Sequence, residues 1–365
     1  MSATTAAVLA AGWVLGWVLA GRRHTLPAGA PPLRGRVSVI IPVRDEAGRL
    51  PRLLAMLARD RQRYEVLVVD DGSTDATAAV ARAAGATVVP VDRPTSWSGK
   101  AYACWVGAQA AQGDVLVFLD ADVEPDVGAV DALAAAAANS GGLVSAQPVH
   151  RVERPYELLS AAPGLVALLG AGTGDRPARR WWRRPMAFGP AMAITADAYR
   201  HVGGHGAVRG EIADDVALAA AADRAGVPVG SLLGGSRLAY RMYPEGLATL
   251  VEGWTKNLAS GGASTPPLRL AAVAVWVTAS LLAGLALAES VAAGTSAVPA
   301  AAAYVAFAIQ FHVLARRVGR FGPASLGFPL LIAVFVVLFT RSAVATFGRR
   351  RVRWRGRLID VGRAR

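Results

Sequence analysis

Cysteine is all but missing from these 365 residues, and the single one, Cys104, excludes an intrachain disulfide and any zinc site built from several thiolates. That suits a catalytic domain kept in a reducing compartment such as the cytosol. Lysine is nearly as scarce. Of 39 basic residues only Lys100 and Lys256 are lysines, so a compact ammonium is used at two places only. No basic side chain precedes the first apolar run, residues 4–20, whereas Arg22 and Arg23 follow it. A cleaved secretory signal carries its positive charge in front, so this order argues for a retained anchor with its N-terminus outside.

The net charge of +13 comes without any nucleic-acid-binding motif. Eight arginines fall within the last seventeen residues, just past an apolar segment, which points to anionic membrane lipid or to a plain topology signal. No nucleic acid is expected as a partner. A mean hydropathy of +0.37 is too apolar for an ordinary soluble enzyme. Further apolar runs at 270–288, 298–315 and 326–339 supply the excess, the first two near the roughly 20 residues that a bilayer core requires. The positive-inside rule sets Arg22, Arg23, the Arg316-Arg317-Arg320 cluster and the basic stretch 349–357 in the cytoplasm. If both of the last two are inside, the segment between them does not cross once, and Pro323 and Pro329 then mark a re-entrant or interfacial hairpin.

Between residues 36 and 233, β-branched apolar runs alternate with Ala-rich helical stretches. VSVII at 37–41, EVLVV at 65–69 and VLVFL at 115–119 suit strands buried on both faces, and the alternation predicts parallel βαβ units. The expected division is a membrane anchor at 1–24, an α/β catalytic domain at 35–235, an interfacial acceptor-side segment at 236–267, membrane helices at 268–346 and a basic cytoplasmic tail at 347–365. Residues 158–172 are apolar but interrupted by Pro163. They read as a helix on the membrane surface or along an acceptor groove, or equally as a core helix.

Ligands of open α/β sheets bind where strands run out. Two motifs sit at such places, VDDGSTD at 69–75 and DAD at 120–122, and SGKA at 98–101 lies between them. Asp120 and Asp122 suit a hard divalent cation, Mg2+ or Mn2+, together with phosphate oxygens of a substrate. Asp70 and Asp71 suit a base or ribose, with turn and cap roles as the competing reading, and the stretch from Pro42 to Glu46 would complete that pocket. Lys100, after Gly99 at a loop-to-helix junction, suits a diphosphate. It is no P-loop, because Pro94 and Ala101 stand where that motif needs Gly and Ser or Thr. GAGTG at 170–174 lacks dinucleotide-binding spacing. Asp214 and Asp215 open an Ala-rich stretch, as general base for an acceptor or as helix caps.

The order IPVRDE, VDDGSTD, SGKAYAC, DADV, FGPAMAIT, GGH, RMYPEG and EGWTKN resembles family 2 glycosyltransferases with the GT-A fold, and more narrowly the bacterial carotenoid glycosyltransferases of the 4,4'-diaponeurosporenoate type. The resemblance extends to IQFHVLARRVGRFG and WRGR near the end. It implies a Rossmann-like, mostly parallel catalytic domain with an N-terminal transmembrane anchor and C-terminal membrane helices. It implies a multi-pass protein of the cell membrane with its catalytic domain cytoplasmic. It also implies inverting transfer of a hexose, usually from UDP-glucose, to a lipid acceptor. By motif, Asp70 and Asp71 bind the nucleotide, Lys100 the diphosphate, Asp120 and Asp122 the metal, with Asp120 also counted among the nucleotide-sugar-binding residues, and Asp214 and Asp215 stand for the family's Glu-Asp pair.

Processive members carry Gln-x-x-Arg-Trp, whereas this chain has Glu252, Trp254 and Lys256, so one sugar per acceptor is expected. His205, Arg241, Trp254 and Lys256 are candidates for holding the acceptor, the charged three for an anionic head. A transferase acting on polyprenyl phosphate or another membrane lipid would share every donor-side residue. A nucleotidyltransferase would release pyrophosphate, and a non-catalytic scaffold would bind no UDP-sugar.

Overall fold

A computed structural model describes the chain apart from residues 1, 29–32, 34, 61, 93, 95–96, 172–183, 212, 350, 355–356 and 361–365, and gives only the backbone at 352–354 and 357–360. Most of the GAGTG run and much of the basic tail therefore lie outside the described residues.

Strands β1 (Val37–Val43), β2 (Tyr64–Asp70), β3 (Thr87–Pro90) and β4 (Val115–Leu119) are parallel neighbours in a seven-stranded sheet. The sheet also holds β6 (Leu143–Gln147), β8 (Ala191–Thr195) and β9 (Val229–Leu233), in the order β3-β2-β1-β4-β8-β6-β9. Strand β8 runs antiparallel to both β4 and β6. A smaller sheet joins β5 (Val123–Pro125), β10 (Leu238–Tyr240) and β7 (Val149–His150).

Side chains of a strand alternate between faces, and here both faces are covered. Val39, Ile41, Val117 and Leu119 pack with helices α2 (Leu50–Leu57) and α5 (Ala129–Ser140). Ile40, Val69, Leu116 and Phe118 pack on the other face with α4 (Gly99–Ala110), α7 (Ala196–Val202) and α8 (Asp214–Arg224). Helix α3 (Thr77–Ala83) follows β2. All the strand mouths that carry acidic motifs therefore open at one end of the sheet.

Among the described residues four helices are long and apolar enough to cross a membrane: α1 (Ala3–Ala20), α10 (Pro267–Ala292), α11 (Val298–Ala315) and the helical stretch Gly322–Gly348 that contains α12 (Phe328–Ala343). They share one core with α6 (Ala161–Ala171) and α9 (Leu247–Ser264). Helix α1 packs antiparallel to α10 through Gly12 and Gly16. A β-carbon there would sit 2.2 Å from Ala279 Cβ and 2.6 Å from Trp276 Nε1. The chain leaving α1 adds to the sheet edge, where Leu26 N–H donates to the Leu233 carbonyl at 2.8 Å.

The last apolar stretch takes an unusual path. Gly319 and Arg320 pair with His150 of the catalytic domain, and Arg317 donates to the Gly21 carbonyl at the end of α1. From there a 3-10 turn, Gly322–Gly327, climbs along α11, with Ser325 Oγ 2.6 Å from His312 Nδ1 and Tyr304 donating to the Leu326 carbonyl at 3.0 Å. Pro329 then touches Gly284, well along α10. Helix α12 returns antiparallel to α10 until Ser342 meets Thr255 and Ala259 of α9. Beyond it, a hairpin of β11 (Arg351–Trp354) and β12 (Arg357–Asp360) packs beside α9. Both ends of 319–348 thus face the catalytic domain, and Pro323 and Pro329 each sit in a first helical turn, where proline is tolerated. Of the alternatives for residues 158–172, the structure shows a core helix that also lines a cavity: Leu165, Leu168 and Leu169 of α6 are buried, while Gly164, Val166 and Ala167 face inward to the cavity.

Candidate active site

The loops after β1 and β2 brace one another before they meet any ligand. Asp45 adopts a left-handed backbone, φ 52°, and its carboxylate accepts from Thr74 N–H at 2.7 Å. Ser73 Oγ accepts from Asp45 N–H at 3.0 Å, and Thr77 Oγ1 from Glu46 N–H at 2.8 Å. Asp70 Oδ1 accepts from both the N–H and the hydroxyl of Ser73, so its carboxylate closes the turn. Asp71 lines the cavity instead, with Arg44 donating to its carbonyl at 2.9 Å.

That cavity measures about 1090 Å³ and runs from Pro42, Glu46, Asp71, Asp120 and Asp122 past Asp214, Asp215, Trp254 and Lys256 to the apolar walls of α10 and α12. Helix α4 starts with Gly99 and presents Lys100, whose ammonium lies 2.6 Å from Asp120 Oδ1 and donates to the Gly189 carbonyl at 3.3 Å. Gly189 N–H in turn donates to Asp215 Oδ2 at 2.8 Å. A side chain at 189 would strike Asp215, since its β-carbon would lie 2.8 Å from Oδ2. One run of contacts therefore links the DAD motif to the acidic pair.

Burial alone would pull the Lys100 ammonium down, but the carboxylates of Asp120, Asp214 and Asp215 outweigh it and raise its pKa. Burial, with the Asp120 charge behind it, pushes Asp122 up to about 7 against the opposing field of Arg49. Burial likewise raises Asp214 and Asp215, with Lys100 opposing in both. Lys256 moves the other way: burial lowers it, and Asp214 offsets only part of the loss. Two cations thus flank a crowded set of carboxylates, an arrangement able to hold a diphosphate and a divalent ion on one side and an acidic group on the other.

Two residues expected to hold the acceptor do not face this cavity. His205 is fully buried between Phe118 and Tyr199, its Nδ1 2.8 Å from the Tyr199 hydroxyl and its Nε2 3.9 Å from Asp214 Oδ2. Burial and the nearby Lys100 lower its pKa to about 3, so it is neutral and offers no charge to an anion. Arg241 pairs with Glu153 at 2.6 Å and Glu157 at 2.8 Å, away from the cavity lining. Trp254 does line it, anchored by Nε1 donating to Ser160 at 3.1 Å. Arg44, within the stretch expected to complete the base pocket, also lines it; Arg49, Gln147 and Gly189 do so too and were not singled out in the sequence. Gly189 lies in the FGPAMAIT motif, which was its available signal.

Cys104, His205 and Asp214 bring one ligand atom each within 4.8 Å of one another. Burial pushes the thiol well above its ordinary pKa, so it keeps its proton, and the Lys100 charge acts on all three. The hard oxygens of Asp120 and Asp122 are the better fit for a divalent cation, since burial and the Asp120 charge raise the proton affinity of Asp122 although Arg49 and Lys100 oppose them, and a cation there would offset that cost.

A seven-stranded sheet with one reversed strand, its acidic strand mouths opening on one cavity, is the GT-A fold. A solved structure with this arrangement, a mannosyltransferase from Pyrobaculum calidifontis in complex with GDP-Man and Mn2+, matches 95% of this chain and 97% of its own at a TM-score of 0.57 and 22% identity. Residues 38–200 match the model of glycosyl transferase family 2. The 4,4'-diaponeurosporenoate glycosyltransferase of Staphylococcus haemolyticus is 35% identical over 333 residues, 89% of this chain and 88% of that protein. Its counterpart in Staphylococcus aureus strain MRSA252 is 34% identical over 358 residues, 95% of each chain. The chain belongs to the family 2 glycosyltransferases.

Proposed function

We propose that this enzyme transfers a single hexose, glucose from UDP-glucose, with inversion onto the carboxylate of a carotenoid acid. The observation that carries the reading is that the likeness to the diaponeurosporenoate glycosyltransferases spans 89–95% of the chain, membrane helices as well as catalytic domain. Three features of the cavity support it. Asp71 and Glu46 at one end are suited to the nucleoside, and Lys100 to the diphosphate. Asp120 and Asp122 would hold Mn2+ or Mg2+, which neutralises the departing UDP. Lys256 and Trp254 mark the acceptor side, before the lining turns apolar.

A carboxylic acid of ordinary pKa, roughly 4, is ionised at neutral pH and needs no general base. Its oxygen attacks the anomeric carbon while the bond to the β-phosphate oxygen breaks and the electron pair leaves with UDP. Lys256 would steady the anion, and Asp215, fixed by Gly189, would set the geometry of that end. A hydroxyl acceptor would instead require Asp215 to take a proton, a reading favoured by the raised proton affinity of that carboxyl.

In the membrane arrangement we propose, α1, α10 and α11 each cross once, and 319–348 enters and returns as a re-entrant element. The arginines at 22–23, 316–320 and 349 then share the cytoplasmic side with the catalytic domain, and the basic tail meets anionic lipid. The test is UDP release by detergent-solubilised protein given UDP-glucose, Mn2+ or Mg2+, and either a carotenoid acid or the matching alcohol. Release that depends on metal and acid and survives Asp215→Asn is expected. Release with the alcohol alone, lost in Asp215→Asn, would replace the acid with a hydroxyl acceptor.

A further inference from the structure

The catalytic cavity does not end at its polar residues. It continues beyond Lys256 along α10 and α12, where Val273 and Val277 face Phe335 and Phe339. Its lining ends at Val277 on α10 and Phe335 on α12, short of the contact between the two helices at Gly284 and Pro329. Below that contact the lining reaches the outer surface. Leu270 and Val336 line the cavity and are yet 38% and 37% exposed, and Ala274 beside them is exposed as well. All three lie on helices long and apolar enough to cross a membrane.

We infer that the slot between α10 and α12, framed by Leu270, Ala274 and Val336, is a lateral portal through which the apolar chain of the acceptor lies half in the enzyme and half in the bilayer. The inference rests on the acceptor reading above. Its occupant is a single apolar chain with a polar head, because the slot is continuous with the lysine- and carboxylate-lined end and carries no charged side chain of its own between Leu270 and Phe339. Water is a poor occupant of such a wall, whereas an apolar chain already dissolved in the bilayer can enter it without exposing apolar surface to water. A stiff polyene is favoured over a flexible chain of equal length, since it loses less rotational freedom on entering. From Leu270 to Val277, the lined part of α10, the helix rises about 10 Å, which sets the length of chain held before it leaves sideways into lipid.

The test is a series of polyene acids of increasing length, assayed for kcat/KM with UDP-glucose on wild type, Ala274→Trp, Val336→Trp and, as control, Val337→Trp, which is 67% exposed on α12 but outside the cavity. Surface positions of this kind accept a large apolar side chain without burying it, so the variants are expected to fold. In wild type kcat/KM should rise with chain length. Ala274→Trp and Val336→Trp should lose at least tenfold on the longest acid and flatten the series, with KM for UDP-glucose unchanged and Val337→Trp behaving as wild type. A wild-type series that is flat, or lining variants that keep its slope, would overturn the portal alone. Wild type inactive on every acid would overturn the acceptor reading and the portal with it.

Discussion

Asp122 shows what a single carboxylate costs this fold. Its ordinary pKa is 3.8, and burial together with Asp120 pushes it up to about 7. Below pH 3.8 folded and unfolded chains both hold the proton; between 3.8 and 7 only the folded chain does, so stability is eroded as pH rises through that window and stays low above it. Asp122→Asn should therefore melt higher than wild type at pH 8 in chelator, by on the order of 2 kcal/mol, with the gap closing toward pH 5. Sugar transfer should fall roughly 100-fold or more in the same variant, as when a group stabilising developing charge is removed. Thermal melts across pH and UDP release check the two halves. The aspartates at the strand mouths were legible in the sequence because a buried apolar run announces where a strand ends. His205 and Arg241 were not, because their roles are set by partners distant in the chain: Asp214 and Tyr199 for one, Glu153 and Glu157 for the other.

At the level of elements, Lys100 is placed by how closely α4 lies on the sheet. Gly107, two turns along the helix, approaches β1 and β2 so tightly that a β-carbon would lie 2.5 Å from Ile40 Cγ2 and 2.8 Å from Val69 Cγ2. Gly107→Ala should lift the helix, destabilise the protein by about 1–3 kcal/mol and weaken the contact between Lys100 and Asp120, seen as a raised KM for the sugar donor with kcat less affected. A variant with unchanged melting and unchanged KM would show that the helix tolerates the shift. Strand and helix positions could be read from apolar periodicity, but the reversal of β8 could not, since direction is decided by connections rather than by composition. Gly12 and Gly16, four residues apart on one face of α1, let α10 approach closely. Hydropathy located the last apolar stretch at 326–339 and gave neither its full length, Gly322–Gly348, nor its course.

For the molecule as a whole, the catalytic domain and the helices form one continuous structure, joined by His150 to Gly319, by Arg317 to the end of α1, and by α6 and α9 lying against both. The cavity crosses that junction, so neither half contains the site alone. The same geometry gathers the two lysines of the chain into a single cavity, although they stand 156 positions apart by number, 256 minus 100. Apart from an N-terminal amine, an acylating reagent then meets its amine targets only there, and the protein carries its own footprinting label. Lys256, with its proton held less tightly, should react faster than Lys100, which Asp120 keeps charged. UDP-glucose with metal should shield Lys100, and acceptor should shield Lys256, so that peptide mapping after brief acylation reads the occupancy of donor and acceptor separately in one experiment.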